Sequence, residues 1–306
     1  MTRAASCPLC GSGTPPRWLG IRGNREHANA DPDATPHLWT NVVRCRACDY
    51  FYTCPEIAEG PALERAYYDD PERYAAFAPA SAPAVVRARL AWIERVCGRG
   101  SLLDVGAGKG EFVHEAIRSG WRAAGIEPSP RFCAHARKRL GVELRCGSLE
   151  DVAALDEGPF DVATLSHVLE HVERPIDFLR AVARHLTPGG RLFVEVPNCD
   201  ALLLRAADVY FRLRRRAWSS RLSPLHPPFH RFGFSTRSLR FALARAGFRV
   251  VAVRTFAGAD RGTGHRLMPG AQRLASRALA VLPSRELLGM IAERAPERAQ
   301  ASPSCS

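Results

Sequence analysis

The sequence predicts a doubly wound α/β domain, a parallel sheet with helices on both faces, preceded by a small cysteine-stapled module. Three observations carry that expectation. From Ser101 onward, short aliphatic and β-branched runs alternate with helical runs of 10 to 14 residues, the rhythm of strand–helix–strand units. A glycine-rich turn, "LLDVGAGKG", closes the first of these strands and opens the first helix. Five of the ten cysteines fall within the first 54 residues, four of them in Cys-x-x-Cys pairs.

The 306 residues, 46% hydrophobic and 24% charged, suffice for one full-sized core with an appendage. The N-terminus has no apolar run, and no window approaches the roughly 18 uncharged apolar residues of a membrane span, so a cytoplasmic location is expected. The net charge of +12 is mostly arginine in an alanine- and arginine-rich chain and does not by itself point to nucleic acid.

Residues 1–60 read as the module. Loop-like "GSGTPPR" and "NADPDATP" precede one strand-like stretch, "LWTNVVRC", that leads into the second cysteine pair. Cys7 and Cys10 form one knuckle and Cys45 and Cys48 another; four thiolates on two tight turns close a tetrahedral zinc site with no open position, hence structural Zn2+. Cys54 has no place in such a site. Residues 61–98 read as a tyrosine-rich connector, "PALERAYYDDPERYAAFAPASAP", and a lead-in helix, "AVVRARLAWIERV", with Gly98 just past its end.

The main domain is expected over 99–296. Its strands are "SLLDV", "RAAGIE", "VELRCG", "FDVATLS" and "GRLFVEV", separated by helices "EFVHEAIRSG", "SPRFCAHARKRLG" and "RPIDFLRAVARHL", the last stopped by the turn "TPGG". The rhythm breaks over 198–233, an insertion at the carboxyl end of a strand where such folds build a lid or acceptor site. It resumes with helix "STRSLRFALARAG" and strand "FRVVAVRTF", followed by a helix-like "AQRLASRALAVL", a last strand "ELLGMIAE" and a tail, 297–306, expected to be disordered.

The glycine turn fits neither a phosphate loop, which needs Gly-Lys-Ser/Thr after four residues, nor the dinucleotide turn, which needs glycine where Glu111 stands. It fits acidic-x-Gly-x-Gly-x-Gly: Asp104, Gly106, Gly108, Gly110. A carboxylate at the end of the first strand repels a pyrophosphate and welcomes a cation such as S-adenosylmethionine, with its ammonium and sulfonium. Glu127 ends the next strand, where a carboxylate can accept both ribose hydroxyls. Lys109 reads as a solvated side chain.

With these motifs the sequence resembles the class I S-adenosylmethionine-dependent methyltransferases. The likeness rests on "LLDVGAGKGEF", "GIEPSP", "RCGSLEDV", "FDVATLSHVLEHVERP" and "HLTPGGRLFVEVPN". It implies a Rossmann-like seven-stranded sheet and a cofactor site drawn from Asp104, Gly106, Gly108, Gly110, Phe112, Glu127, Pro128, Ser148, Leu149, Ser166 and His167. Gly147-Ser148 replaces the family's glycine-acid pair, leaving the adenine amine to Glu150, Asp151 or backbone. In the related ubiquinone-biosynthesis O-methyltransferases an acidic residue stands where His167 is and the set can hold a divalent metal; with His167 there, no catalytic metal is expected.

A methyltransferase of this kind positions acceptor and donor and removes a proton from the nucleophile. Candidate catalytic residues are Glu170 and His171 after the fourth strand and His226 and His230 in the insertion, with His230 the first choice and His171 open between a structural and a catalytic role. The insertion's Arg205, Arg212, Arg214, Arg215, Arg216 and Arg221, interleaved with Tyr210, Phe211 and Trp218, read either as a lid that grips a phosphate or carboxylate or as a solvated amphipathic face. The layout resembles bacterial methyltransferases of sugar, polysaccharide and natural-product pathways, which implies a small-molecule or glycan-type acceptor; oxygen is the expected nucleophile, with nitrogen and carbon open. The alternatives are an RNA methyltransferase that binds RNA through the zinc module and the arginines, and a non-catalytic zinc-binding scaffold.

Overall fold

The computed structural model describes residues 6–23, 39–56, 58, 60–68, 70, 83–149, 158–225, 227–256 and 286–295. In chain order these form strands β1 (Arg17–Gly23), β2 (Trp39–Arg44) and β3 (Phe51–Cys54), helices α1 (Gly60–Tyr68) and α2 (Pro83–Cys97), then β4 (Ser101–Val105), α3 (Glu111–Arg118), β5 (Arg122–Glu127), α4 (Pro130–Leu140), β6 (Arg145–Cys146) and β7 (Phe160–Ser166). A short 3-10 turn at Leu169–His171 leads to α5 (Pro175–Arg184), β8 (Leu186–Pro197), α6 (Leu202–Leu213), β9 (Phe232–Gly233), α7 (Thr236–Arg245), β10 (Phe248–Phe256) and β11 (Leu287–Arg294).

The α/β methyltransferase fold expected from the motifs is present as a seven-stranded mixed sheet ordered β10-β11-β8-β7-β4-β5-β6. Every residue of β4 is buried, as a central strand covered on both faces requires. Alternation then divides the core. Leu103, Val105, Leu165 and Val194 pack under Leu179, Leu239 and Leu243 on one face; Leu102, Val162 and Phe193 pack with Leu90, Ile93 and Phe112 on the other. The chain reverses direction across the sheet between β4 and β7, so the crevice for ligands opens at the carboxyl ends of those strands.

Several details depart from the sequence reading. The third strand shrinks to Arg145–Cys146. The "TPGG" segment is carried inside β8, whose pairing with β7 slips between Phe160–Leu186 and Val162–Arg191; positive φ at Gly189 (75°) makes the irregular stretch a bulge rather than a separate turn. The last strand runs antiparallel between β8 and β10. Cys133 and Cys146, for which the sequence offered no pairing, are joined by a disulfide. The helix-like 271–282, the tail 297–306, the 29–36 loop, His226 and the pair Glu150 and Asp151 lie outside the described residues.

A second, antiparallel sheet, β1-β2-β3-β9, carries the cysteine knuckles. Its fourth strand comes from the 198–233 insertion, and Tyr50 stacks on Phe232 and meets Phe234 edge-on. Ile21 N–H donates to Ala217 O and Ser219 N–H to Ile21 O, so the insertion also borders β1. Insertion and cysteine module are therefore one packed body.

Candidate active site

The glycine turn is built by conformations that side chains resist. Gly106, Gly108 and Gly110 have φ of 76°, 53° and 79°, and a Cβ on Gly106 would stand 2.6 Å from Val168 Cγ2. The turn is therefore a backbone cradle pressed against the segment that follows β7. Thr164 Oγ1 donates to Asp104 Oδ1 at 2.6 Å, and burial pushes the Asp104 carboxyl up to about 7, against the lowering effect of that bond. Glu127 is held by two backbone donors, Gly108 N–H to Oε2 at 2.8 Å and Ser129 N–H to Oε1 at 2.9 Å; each oxygen keeps a second lone pair for a hydroxyl. Burial raises its pKa too.

Around this pair the residues grouped by resemblance are unevenly placed. Phe112 and Leu149 are buried, Ser148 and Ser166 half-buried, and Pro128 and His167 exposed. Lys109 is corrected: its side chain is buried, not solvated, with Nζ 3.2 Å from Glu111 Oε1, because the turn folds it back over the first residue of α3.

The candidate acid–base residues converge beside the turn. Glu170 is fully buried, with Oε1 3.2 Å from His167 Nδ1 and 3.6 Å from His230 Nε2. Desolvation works to raise its pKa, but the His167 hydrogen bond and the charges of His230 and His171 bring it down to about 2. Its Oε2 is buried and has no hydrogen-bond partner among the described residues. A buried carboxylate oxygen without a partner is a feature that structural packing alone does not account for. The rings of His171 and His230 lie 5.2 Å apart, and Glu170, His171 and His230 bring one ligand atom each within 4.8 Å of one another, a set with the geometry to hold a cation.

Sequence reasoning missed the residue that completes this cluster. Glu64, on α1 in the connector, places Oε1 2.6 Å from His171 Nδ1 across a separation of 107 residues. Its other oxygen accepts from Arg231 Nε at 3.2 Å, and the same guanidinium reaches Glu56, Glu173 and the His171 carbonyl. On the sheet side, buried Arg89 of α2 bonds Glu195 Oε2 at 3.0 Å, while Glu195 Oε1 stands 3.7 Å from His167 Nε2. No spacing rule links α1 or α2 to the fourth-strand motif. Thr164, Glu173 and Glu195 lay within quoted motifs, but nothing in those motifs marked them as partners of Asp104, Arg231 or Arg89.

At the far side of the N-terminal sheet Cys7, Cys10, Cys45 and Cys48 gather their Sγ atoms within 4.8 Å, with 3.7 Å between Cys7 and Cys48 and between Cys10 and Cys45. A tetrahedron of Zn–S bonds of about 2.3 Å has edges of about 3.8 Å, so the four thiols fit such an ion. A hydrogen bond from Cys48 draws the Cys7 thiol down to about 5, toward the thiolate that a metal binds.

The profile of the methyltransferase domain family matches residues 64–253. The chain belongs to that family. The match takes in the glycine turn, Glu127 and the Glu170–His171 segment, and within this family the cosubstrate is S-adenosylmethionine. Among curated relatives, this chain is 36% identical over 124 residues to a ubiquinone biosynthesis O-methyltransferase of Xanthomonas oryzae pv. oryzae, covering 38% of this chain and 52% of that protein. A ubiquinone biosynthesis O-methyltransferase of Xanthomonas campestris pv. campestris is 37% identical over 121 residues, with 37% and 51% covered. The chain thus spans about half the length of the curated relatives it matches. Among solved structures, 1,6-didemethyltoxoflavin-N1-methyltransferase of Burkholderia thailandensis superposes with a TM-score of 0.52 at 19% identity, covering 84% of this chain and 96% of that one. A methyltransferase of Thermotoga maritima gives 0.51 at 19% identity, with 76% and 99% covered. At that identity the likeness is one of fold.

Proposed function

We propose that the protein transfers a methyl group from S-adenosylmethionine to a hydroxyl of a small-molecule or glycan-type acceptor, and that structural Zn2+ fills the Cys7–Cys10–Cys45–Cys48 site. The observation that carries this reading is the Glu64–His171 pair, set beside His230 and the open oxygen of Glu170, at the end of the sheet where Asp104 and the glycine cradle lie. In it, Asp104 meets the cosubstrate's ammonium, Glu127 accepts from its ribose and the turn amides border its carboxylate. Bound S-adenosylmethionine supplies an electrophilic methyl carbon on a sulfonium. With its Nδ1–H donating to Glu64 Oε1, His171 presents a lone pair on Nε2. That lone pair takes the acceptor's hydroxyl proton as the oxygen attacks, the carbon–sulfur bond breaks, and a methyl ether leaves with the thioether product. His230, backed by Glu170 Oε1 at 3.6 Å, orients the acceptor.

Oxygen as nucleophile is also supported by the curated relatives, whose names state O-methylation. The test is methyl transfer from labelled S-adenosylmethionine to panels of phenolic and sugar acceptors, with products identified by mass spectrometry. His171→Ala and His230→Ala should each cut kcat by about 100-fold, the lower range for a positioned acid–base group, while cosubstrate affinity stays unchanged. Full activity in both variants would remove the assignment; transfer confined to RNA would remove the acceptor class.

A further inference from the structure

Helix α6 turns its apolar side outward. At 3.6 residues per turn, Leu202, Ala206, Val209 and Leu213 fall in one stripe along Leu202–Leu213. Leu202 is 70% exposed, Val209 51% and Leu213 79%, with Tyr210, 43% exposed, at the stripe's margin. The opposite side is fastened down. Asp208, the buried residue of the helix, accepts from Arg221 Nε at 2.7 Å and from Ser220 Oγ at 3.2 Å, and Arg221 also donates to the Cys199 carbonyl. The outward face is thus fixed by buried polar bonds and does not follow from a loosely held helix.

The charge beside the stripe has one sign. Arg205 and Arg212 flank it, and Arg214, Arg215 and Arg216 follow its last turn, all exposed. Between residues 201 and 223 the one carboxylate is Asp208, already bonded. Aliphatic side chains in a row with arginines at the margin, on a helix that does not pack them, suit a bilayer surface: the leucines enter the acyl boundary while the guanidiniums stay among phosphates. No described helix is long and apolar enough to cross a membrane, so contact would lie in the interface plane. A second copy of this chain is a poor occupant, since each molecule carries +12 and would set arginine against arginine. Single-stranded RNA would satisfy the arginines but leave Leu202, Val209 and Leu213 in water, because its bases stack on rings and not on aliphatic stripes.

We propose that the outer face of Leu202–Leu213, with Arg205, Arg212 and Arg214–Arg216, is a docking surface for an anionic phospholipid bilayer. The test is cosedimentation of the full-length protein with vesicles of phosphatidylcholine plus phosphatidylglycerol, and with phosphatidylcholine alone, read without any acceptor so that the outcome is independent of the proposed activity. The expected result is partition onto the anionic vesicles and not the neutral ones. Arg212→Gln/Arg214→Gln/Arg216→Gln should weaken it by more than about tenfold, since each arginine near the surface contributes a factor on the order of five. Leu202→Ser/Val209→Ser/Leu213→Ser should also weaken it at least about tenfold, with unchanged circular dichroism, because these side chains touch little in the fold. Absence of binding to anionic vesicles would overturn the proposal. So would binding that the leucine variant leaves intact, or retention on single-stranded RNA with none on vesicles.

Discussion

Asp104 shows how one buried side chain sets a measurable property. Its carboxyl titrates near 3.8 when solvated and about 7 in the fold, chiefly because burial penalises its charge. Between these values the unfolded chain has lost the proton that the native state retains. Native Asp104 therefore lowers stability as pH rises through that window, and the full cost is present above about 7. A cation bound against the carboxylate reverses the preference. S-adenosylmethionine affinity should accordingly rise as pH passes from 6 to 8, by calorimetry at several pH values, and a flat profile would show that Asp104 does not meet the ligand's charge. Thr164→Val removes the hydrogen bond that lowers this pKa, so the rise should shift to higher pH and affinity at pH 7 should fall. For Glu64 the expected signature is kinetic: Glu64→Gln should lower kcat by at least about tenfold with KM unchanged, as loss of a residue that orients a general base would. An equal fall in cosubstrate affinity would instead mark Glu64 as structural. Asp104 and Glu127 were legible because each sits at a fixed offset from glycines or a strand end. Glu64 was not, since its partner lies 107 residues away and only tertiary folding brings the two together.

At the level of elements, legibility followed how much of a segment's fate was local. The strands "SLLDV", "RAAGIE" and "FDVATLS" appear with the predicted ends because their buried runs admit one arrangement. Strand β1, "RWLGIRG", carried no clear alternation; its Gly20 is needed because a Cβ there would lie 2.8 Å from the Trp218 backbone, a contact with no trace in the local pattern. The bulged "TPGG" was likewise set by pairing with β7. Gly106→Ala should destabilise the fold by about 1–3 kcal/mol, through positive φ and the clash with Val168, and weaken cosubstrate binding; an unchanged melting temperature would contradict the cradle. Removal of metal from the cysteine site should reach beyond the knuckles. Because β9 and the Tyr50–Phe232 stack tie the insertion to that sheet, hydrogen exchange after chelation should rise in β1, β2 and residues 217–234 while β4 and β7 stay protected. Protection lost in the knuckles alone would mean that the two segments are independent.

Across the whole molecule, three segments that a linear reading keeps apart meet at one end of the sheet. The connector brings Glu64, the insertion brings His230 and Arg231, and the fourth-strand motif brings Glu170 and His171. The cysteine-bearing sheet borders that insertion through β9. The proposed cosubstrate site is drawn from Asp104, the glycine turn and Glu127. Its most direct test is isothermal titration of S-adenosylmethionine into the wild-type protein and Asp104→Asn above pH 7.5. The account predicts one site per chain, with affinity roughly 100-fold weaker in the variant from the loss of a buried charge pair. Absence of binding to the wild type, or equal affinity in both proteins, would contradict it.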